Sequence, residues 1–299
     1  MESFFVIILP LVLGYIASKG KIFDEKAPLI LNQFIIYIAL PALILLKIPT
    51  ISFSYDILVP VVVSWSSMIG SAIIILLLSK LLNFTKEVTG SLLLVGVLGN
   101  TSFLGIPLVT SYFGQDALAY IIIYDQLGTF LALATYGTLI VSLYSNKSSF
   151  KIKDILKKLI TFPPFVALVI AFIIKDFSYP NALSKSFEML SYTIVPLALF
   201  SVGLQLQFKL QSDVIKPFSV ALVTKLIFAP IIAYAVCYIL GYDGFIANVS
   251  IMESAMGPMI TAGVVATAAG LAPRLSSAIV GYGILFSFIS VYILNFLFF

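Results

Sequence analysis

Long apolar runs alternate with short polar loops along the whole chain. A run of roughly 20 mostly apolar residues is what a bilayer core of about 30 Å asks of one helix. On that criterion the pattern predicts ten membrane spans. The first five lie at about 3–18, 27–46, 57–82, 88–113 and 117–143. The second five lie at about 159–175, 183–204, 216–240, 244–270 and 274–298. The first and sixth are short for a bilayer. No loop is long enough to fold as a soluble domain, and no segment is of low complexity.

Two of these runs are interrupted at their middles. The fourth carries Gly99-Asn100-Thr101-Ser102-Phe103-Leu104-Gly105-Ile106-Pro107-Leu108. Pro107 lacks an N–H, and its ring clashes with the carbonyl four residues back, that of Phe103. The residue before a proline is pushed away from helical geometry. The pattern therefore predicts two half-helices joined by an unwound break, with Gly105 and Pro107 as its helix-breaking residues. The ninth run repeats the design with Met252-Glu253-Ser254-Ala255-Met256-Gly257-Pro258, so Pro258 is the second helix breaker. Unwound backbone is tolerated at membrane depth only where protein or a watery cavity satisfies it. Paired broken helices in corresponding halves are the sequence pointer to a transporter binding site.

Loop charge orients the spans. Thirteen Lys/Arg fall in the loops after spans one, three, five, seven and nine, among them Lys147, Lys151 and Lys209. Only Lys47, Lys175 and Lys185 fall in the others. The positive-inside rule puts the first set in the cytoplasm and both termini outside. The most basic loop divides the chain into a first repeat at 1–143, a cytoplasmic linker at 144–158 and a second repeat at 159–299. Five spans is an odd number, so the second repeat inserts upside down. Pro10 and Pro163, Pro41 and Pro196, and Pro107 and Pro258 pair in nearly constant register. The expected fold is thus an all-α polytopic membrane protein with a 5+5 inverted repeat and crossing breaks in helices four and nine.

Composition sharpens the class. Hydrophobic residues make up 61% of the 299 residues and charged residues 10%, against about 25% charged in soluble domains. The net charge of +4 sits in short loops, so it orients the chain rather than marking a nucleic-acid partner. The chain has no histidine and one cysteine, Cys237. That excludes an internal disulfide, a Cys/His zinc site and a Ser-His-Asp triad. No metal site, catalytic residue or bound cofactor is expected, beyond a coupling proton or sodium ion. The apolar N-terminal run has no basic region before it and reads as a retained first helix in a plasma membrane.

The Asn100-to-Leu108 stretch resembles the fourth-helix motif of the auxin efflux carrier family, which includes plant auxin exporters and bacterial malate and malonate permeases. Glu253-Ser254-Ala255-Met256 before Pro258 is similar to the ninth-helix motif of bacterial members, with Gly257 inserted. Ala272-Pro273-Arg274-Leu275-Ser276, Tyr124-Asp125-Gln126, and Lys225 with Pro230 add to the likeness. The resemblance implies a scaffold of spans one, two, six and seven, dimerising through spans two and seven. It implies a core of the remaining spans that shifts past the scaffold as an elevator. It also implies that Asn100 contacts a substrate carboxylate. The plant exporters' long soluble insert has no counterpart in the short basic linker.

The residues themselves point the same way. Half-helices starting near Pro107 and Pro258 would aim free N–H groups and positive dipole ends at the crossing, which suits an anion. Asn100 offers amide donors, Thr101, Ser102 and Ser254 offer hydroxyls, and Gly257 lets backbone approach. The one arginine, Arg274, belongs to a loop, so no guanidinium clamp is available. Asp125, Lys225 and Glu253 are ionisable groups inside spans, each of which must face a cavity or a partner. Glu253 is a candidate for the coupling proton or a structural acid. Lys225 could pair with Asp125 or Glu253, contact substrate, or stand where sodium stands in related carriers.

The leading expectation is a secondary carrier for small organic anions, not an enzyme; no nucleotide-binding motif is present. The alternative is a sodium- or proton-coupled cation antiporter or symporter of similar crossed-helix build. An intramembrane aspartyl protease fits Tyr124-Asp125 but lacks its second Gly-x-Gly-Asp motif. A receptor on a carrier scaffold would bind ligand without flux.

Overall fold

The computed structural model describes residues 2–24, 26–50, 57–145, 152–174, 177, 179–206 and 214–298. Lys147, Lys151, Lys175 and Lys209, which enter the loop-charge argument, lie outside the described residues, as does 146–151 of the linker. The helices in chain order are α1 (Glu2–Lys19), α2 (Ala27–Thr50), α3 (Leu58–Leu81), α4 (Lys86–Val95), α5 (Thr101–Phe113) and α6 (Gln115–Tyr144). They continue with α7 (Ile152–Thr161), α8 (Pro163–Ile173), α9 (Asn181–Gln205), α10 (Ile215–Leu240), α11 (Gly244–Ser254), α12 (Ile260–Ala268) and α13 (Pro273–Phe298).

Among the described residues six helices, α2, α3, α6, α9, α10 and α13, are long and apolar enough to cross a membrane. The expected first and sixth spans are each a single shorter helix, α1 and α8, and the fourth and ninth are each two helices, α4 with α5 and α11 with α12. α8 has 11 residues, about 16 Å at 1.5 Å per residue. The expected sixth span starts later than the apolar pattern suggests, because Ile152–Thr161 forms a separate basic amphipathic helix and Phe162 leaves helical geometry before Pro163.

Proline shapes these helices differently from the expectation. Pro41, Pro107 and Pro230 each follow a five-residue π turn, at Ile35–Ala39, Thr101–Gly105 and Thr224–Phe228. A π turn is one of the few local changes that interrupts the regular ladder of backbone bonds without ending the helix. It accommodates the missing N–H and the displaced carbonyl of the preceding turn. Ile106 consequently stays helical, and Gly105 and Pro107 lie inside a continuous α5. The first interruption falls earlier, between Val95 and Thr101.

The chain folds as two compact units, each drawing on both sequence halves. The first holds Met1–Ser54, Ser102–Ile122 and Leu156–Leu206. Its closest approach joins α1 to α9. A Cβ on Gly14 would stand 2.2 Å from the Phe200 carbonyl oxygen, and one on Gly203 would stand 2.2 Å from that of Leu11. Only glycine lets the two backbones meet there, the usual role of small residues between membrane helices. Ser201 donates to the Asn32 side-chain carbonyl at 2.7 Å beside this contact.

The second unit holds Tyr55–Thr101, Ile123–Ile155 and Gln207–Phe299. α4 is its centre: every residue from Thr89 to Thr101 is buried. Leu92, Val95 and Leu98 pack with Ala221, Ala262, Ala266 and Ile279 from α10, α12 and α13. Polar contacts fix the register. Ser91 and Ser276 share a hydrogen bond at 2.7 Å, and the Tyr136 hydroxyl donates to the Leu93 carbonyl at 2.8 Å. Trp65 donates its indole N–H to the Leu127 carbonyl at 3.0 Å, within the π turn Tyr124–Phe130 of α6.

Candidate substrate and ion site

Both interruptions lie in the second unit, and they pair with each other. Gly99 and Pro258 form an isolated antiparallel bridge. The Asn100 N–H donates to the Gly257 carbonyl at 2.8 Å, and the Met259 N–H donates to the Leu98 carbonyl at 2.9 Å. Two stretches of unwound chain thus satisfy part of each other's backbone, as burial demands. Every residue from Val249 to Pro258 is buried. α12 restarts at Ile260, close to the expected position at Pro258.

Glycine at 257 is required by packing. A Cβ there would come within 3.0 Å of the Gly283 carbonyl oxygen, the Ile284 Cα and the Ser287 hydroxyl. The contact is reciprocal, since a Cβ on Gly283 would stand 2.5 Å from Cδ of Pro258. The second break is therefore seated on α13.

Ionisable groups collect around the paired breaks. Lys225, on the π turn of α10, is buried and donates to the Ser254 carbonyl at 3.0 Å. Ser254 ends α11, so the ammonium sits at the negative end of that helix. The same nitrogen would be 3.0 Å from a Cβ on Gly99, so glycine makes room for it. Asp125 accepts from the Thr101 hydroxyl at 2.5 Å and from the Gln126 amide at 2.6 Å. Glu253 is fully buried and feels both Asp125 and Lys225 electrostatically.

Four buried polar groups here have no hydrogen-bond partner: both carboxylate oxygens of Glu253, the Asn100 amide nitrogen, the Gln126 amide oxygen and the Thr224 hydroxyl. An unmade buried hydrogen bond costs roughly 1–3 kcal/mol, more for a charged group. Such a concentration of unmet polar groups beside two breaks is the signature of a site that something else completes.

A family model described as "Membrane transport protein" matches residues 1–295. The chain belongs to this membrane transport family, the auxin efflux carrier-like family its motifs resemble. It is similar to an uncharacterized transporter of Methanocaldococcus jannaschii, 31% identical over 267 residues, which covers 86% of this chain and 85% of the relative. It is also similar to an uncharacterized transporter of Methanothermobacter thermautotrophicus, 26% identical over 294 residues, covering 97% and 95%. The transporter is a multi-pass membrane protein.

Within the transporter the expected site residues divide. Asn100, Thr101, Asp125, Lys225, Glu253, Ser254, Gly257 and Pro258 all fall in the second unit. Ser102, Gly105 and Pro107 fall in the first. The Thr101 hydroxyl is committed to Asp125, and the Ser254 hydroxyl donates back to the Ile251 carbonyl at 2.6 Å. Lys225, for which the sequence offered a carboxylate, a substrate or a sodium position, donates to a backbone carbonyl and interacts electrostatically with Glu253. The sequence marks Gln126 only as part of a motif and does not single out Thr224 or Gly283. Gln126 stood in view beside Asp125; nothing local marks the other two.

The first unit carries its own feature, an open cavity of about 650 Å³. Pro10, Pro107 and Pro196 form part of its wall, and Thr110, Gln115 and Tyr192 give it polar points. That volume and mixed lining are within the range of small-molecule pockets.

Proposed function

We propose that the transporter is a secondary carrier for small organic anions, carboxylates in particular, and that the paired breaks hold the anionic group. The observation that carries this reading is the Asn100 amide nitrogen, buried and unpartnered beside the bridge between the breaks. A carboxylate oxygen is the natural acceptor for that donor. The Lys225 ammonium and the start of α12 add positive potential in the same unit. Neutral donors with one displaced cation give modest affinity, which suits a protein that must release its cargo.

Division into two compact units is in keeping with a scaffold and a moving core, with the site riding in the unit that contains both breaks, but Ser102–Ile122 of the expected core groups with the scaffold helices. On this reading α2 and α9 carry the dimer contact, both termini face outside, and the basic linker lies in the cytoplasm of a plasma-membrane protein. Pro41 in α2 and Pro196 in α9 are the paired positions of the inverted repeat that serve this scaffold.

A second reading, a sodium- or proton-coupled cation carrier, is favoured by one observation, the buried carboxylate of Glu253 with neither oxygen bonded. A thermal-shift screen of purified protein against mono- and dicarboxylates, indole acids and sodium separates the two. Stabilisation by a carboxylate supports the anion carrier. Stabilisation by sodium alone, with no carboxylate effective, overturns it in favour of the second reading.

A further inference from the structure

We infer that Glu253 is a monocation site, and that the closed crossing takes up one positive charge there, as a proton or as an alkali cation. The inference rests on the carrier reading but concerns the empty protein, so it can be tested without knowing the cargo.

The two buried acids differ in what surrounds them. Asp125 accepts from Thr101 and from Gln126. Glu253 receives no hydrogen bond at either oxygen. An ionised carboxylate sealed from water without a donor is among the costliest arrangements a protein can hold. The Lys225 ammonium attracts Glu253 but makes no hydrogen bond to it, donating to the Ser254 carbonyl, and Asp125 adds a second negative charge that the one cation does not balance. The charges acting on Glu253 are Asp125 from α6 and Lys225 from α10, and Tyr124 of α6 also feels it. The only charged residue of α3 is Lys80, exposed in its last turn. α13 packs against this region through Gly283, Ile284 and Ser287, none of them charged.

Two further oxygens of the same unit, on Gln126 and Thr224, are buried and unpartnered. Thr224 adjoins Lys225 and Gln126 adjoins Asp125 in the chain. Oxygen atoms with spare lone pairs are what a hard cation takes as ligands, and a protonated acid would donate to one of them. Both routes supply the same missing charge. Coupling follows from it: the crossing closes only with Glu253 neutralised, so an anionic cargo enters a site already relieved of its own negative group.

The experiment is thermal unfolding of the full chain in lipid nanodiscs, without cargo, for wild type, Glu253→Gln and Glu253→Asp. One arm lowers pH stepwise; the other replaces choline chloride with sodium chloride at constant ionic strength. Each tenfold rise in the cation that binds, above its Kd, raises the wild-type folding equilibrium constant about tenfold. The expected result is a response in one arm that Glu253→Gln abolishes and Glu253→Asp retains in part. The acid arm identifies a proton, the sodium arm an alkali cation. A wild type that responds in neither arm, or a Glu253→Gln variant with the wild-type response, overturns the inference. Failure of the anion reading registers separately, as absence of any shift on adding malonate or indole-3-acetate.

Discussion

The backbone N–H of Asn100 donates to the carbonyl of Gly257 at 2.8 Å. These residues come from breaks far apart in the chain, and their bond fixes where the Asn100 side chain stands. Whatever the amide recognises is positioned by the second break as much as by the first.

That dependence makes Gly257 sensitive. Gly257→Ala puts a methyl group 3.0 Å from backbone atoms of Gly283 and Ile284, which cannot swing aside. Overpacking of this kind costs about 1–3 kcal/mol. Gly283→Ala, which meets the Pro258 ring, is expected to cost at least as much. Thermal unfolding of the two variants in nanodiscs measures it. Wild-type stability in both would mean that the break is not seated on α13.

Lys225 tests whether charge or shape matters at the crossing. Lys225→Met leaves the Ser254 carbonyl without its donor and the acids without a cation; it is expected to lower stability and abolish ligand-induced stabilisation. Lys225→Arg keeps the charge but brings a broad planar group against Gly99, where a Cβ would already stand 3.0 Å from the ammonium. It is therefore expected to fail in ligand binding as well. Full function in the arginine variant would show that the tight approach is unimportant.

Thr101 separates a substrate contact from a support. Its hydroxyl is given to Asp125. Thr101→Ser keeps that bond and is expected to retain binding. Thr101→Val removes a buried donor to a charged group, worth roughly 1.5–3 kcal/mol, and is expected to destabilise. Differential unfolding of the pair reads this directly; equal stability of the valine and serine variants would contradict it.

In the first unit, Gly14→Leu and Gly203→Leu are expected to separate α1 from α9 and to reduce the yield of folded protein. Small residues outside this contact should tolerate the same change far better. Size-exclusion profiles of the two variants, beside Gly20→Leu as a control at an exposed position where a Cβ meets nothing closer than 3.4 Å, provide the comparison.

Much of this was legible in the chain. Apolar run length marked the helices, and the polar stretch Gly99–Leu108 in one run with Met252–Pro258 in the other marked which runs are interrupted. Pro107 misled because proline chemistry alone cannot distinguish an unwound stretch from a π turn; the Thr101–Gly105 turn absorbs it. Gly14, Gly203 and Gly283 were unreadable for a different reason. Each is needed because of a backbone that approaches from a distant part of the chain, and no local pattern records that approach. Lys225 was visible as a buried charge, but its partner is a main-chain carbonyl, which carries no residue signature.

The most direct test of the central claim is uptake of radiolabelled carboxylates into proteoliposomes by wild type and Asn100→Ala. The expected result is saturable flux of at least one of malate, malonate or indole-3-acetate in the wild type, reduced at least tenfold in Asn100→Ala with unfolding temperature little changed. Undiminished flux in a well-folded Asn100→Ala variant would contradict it.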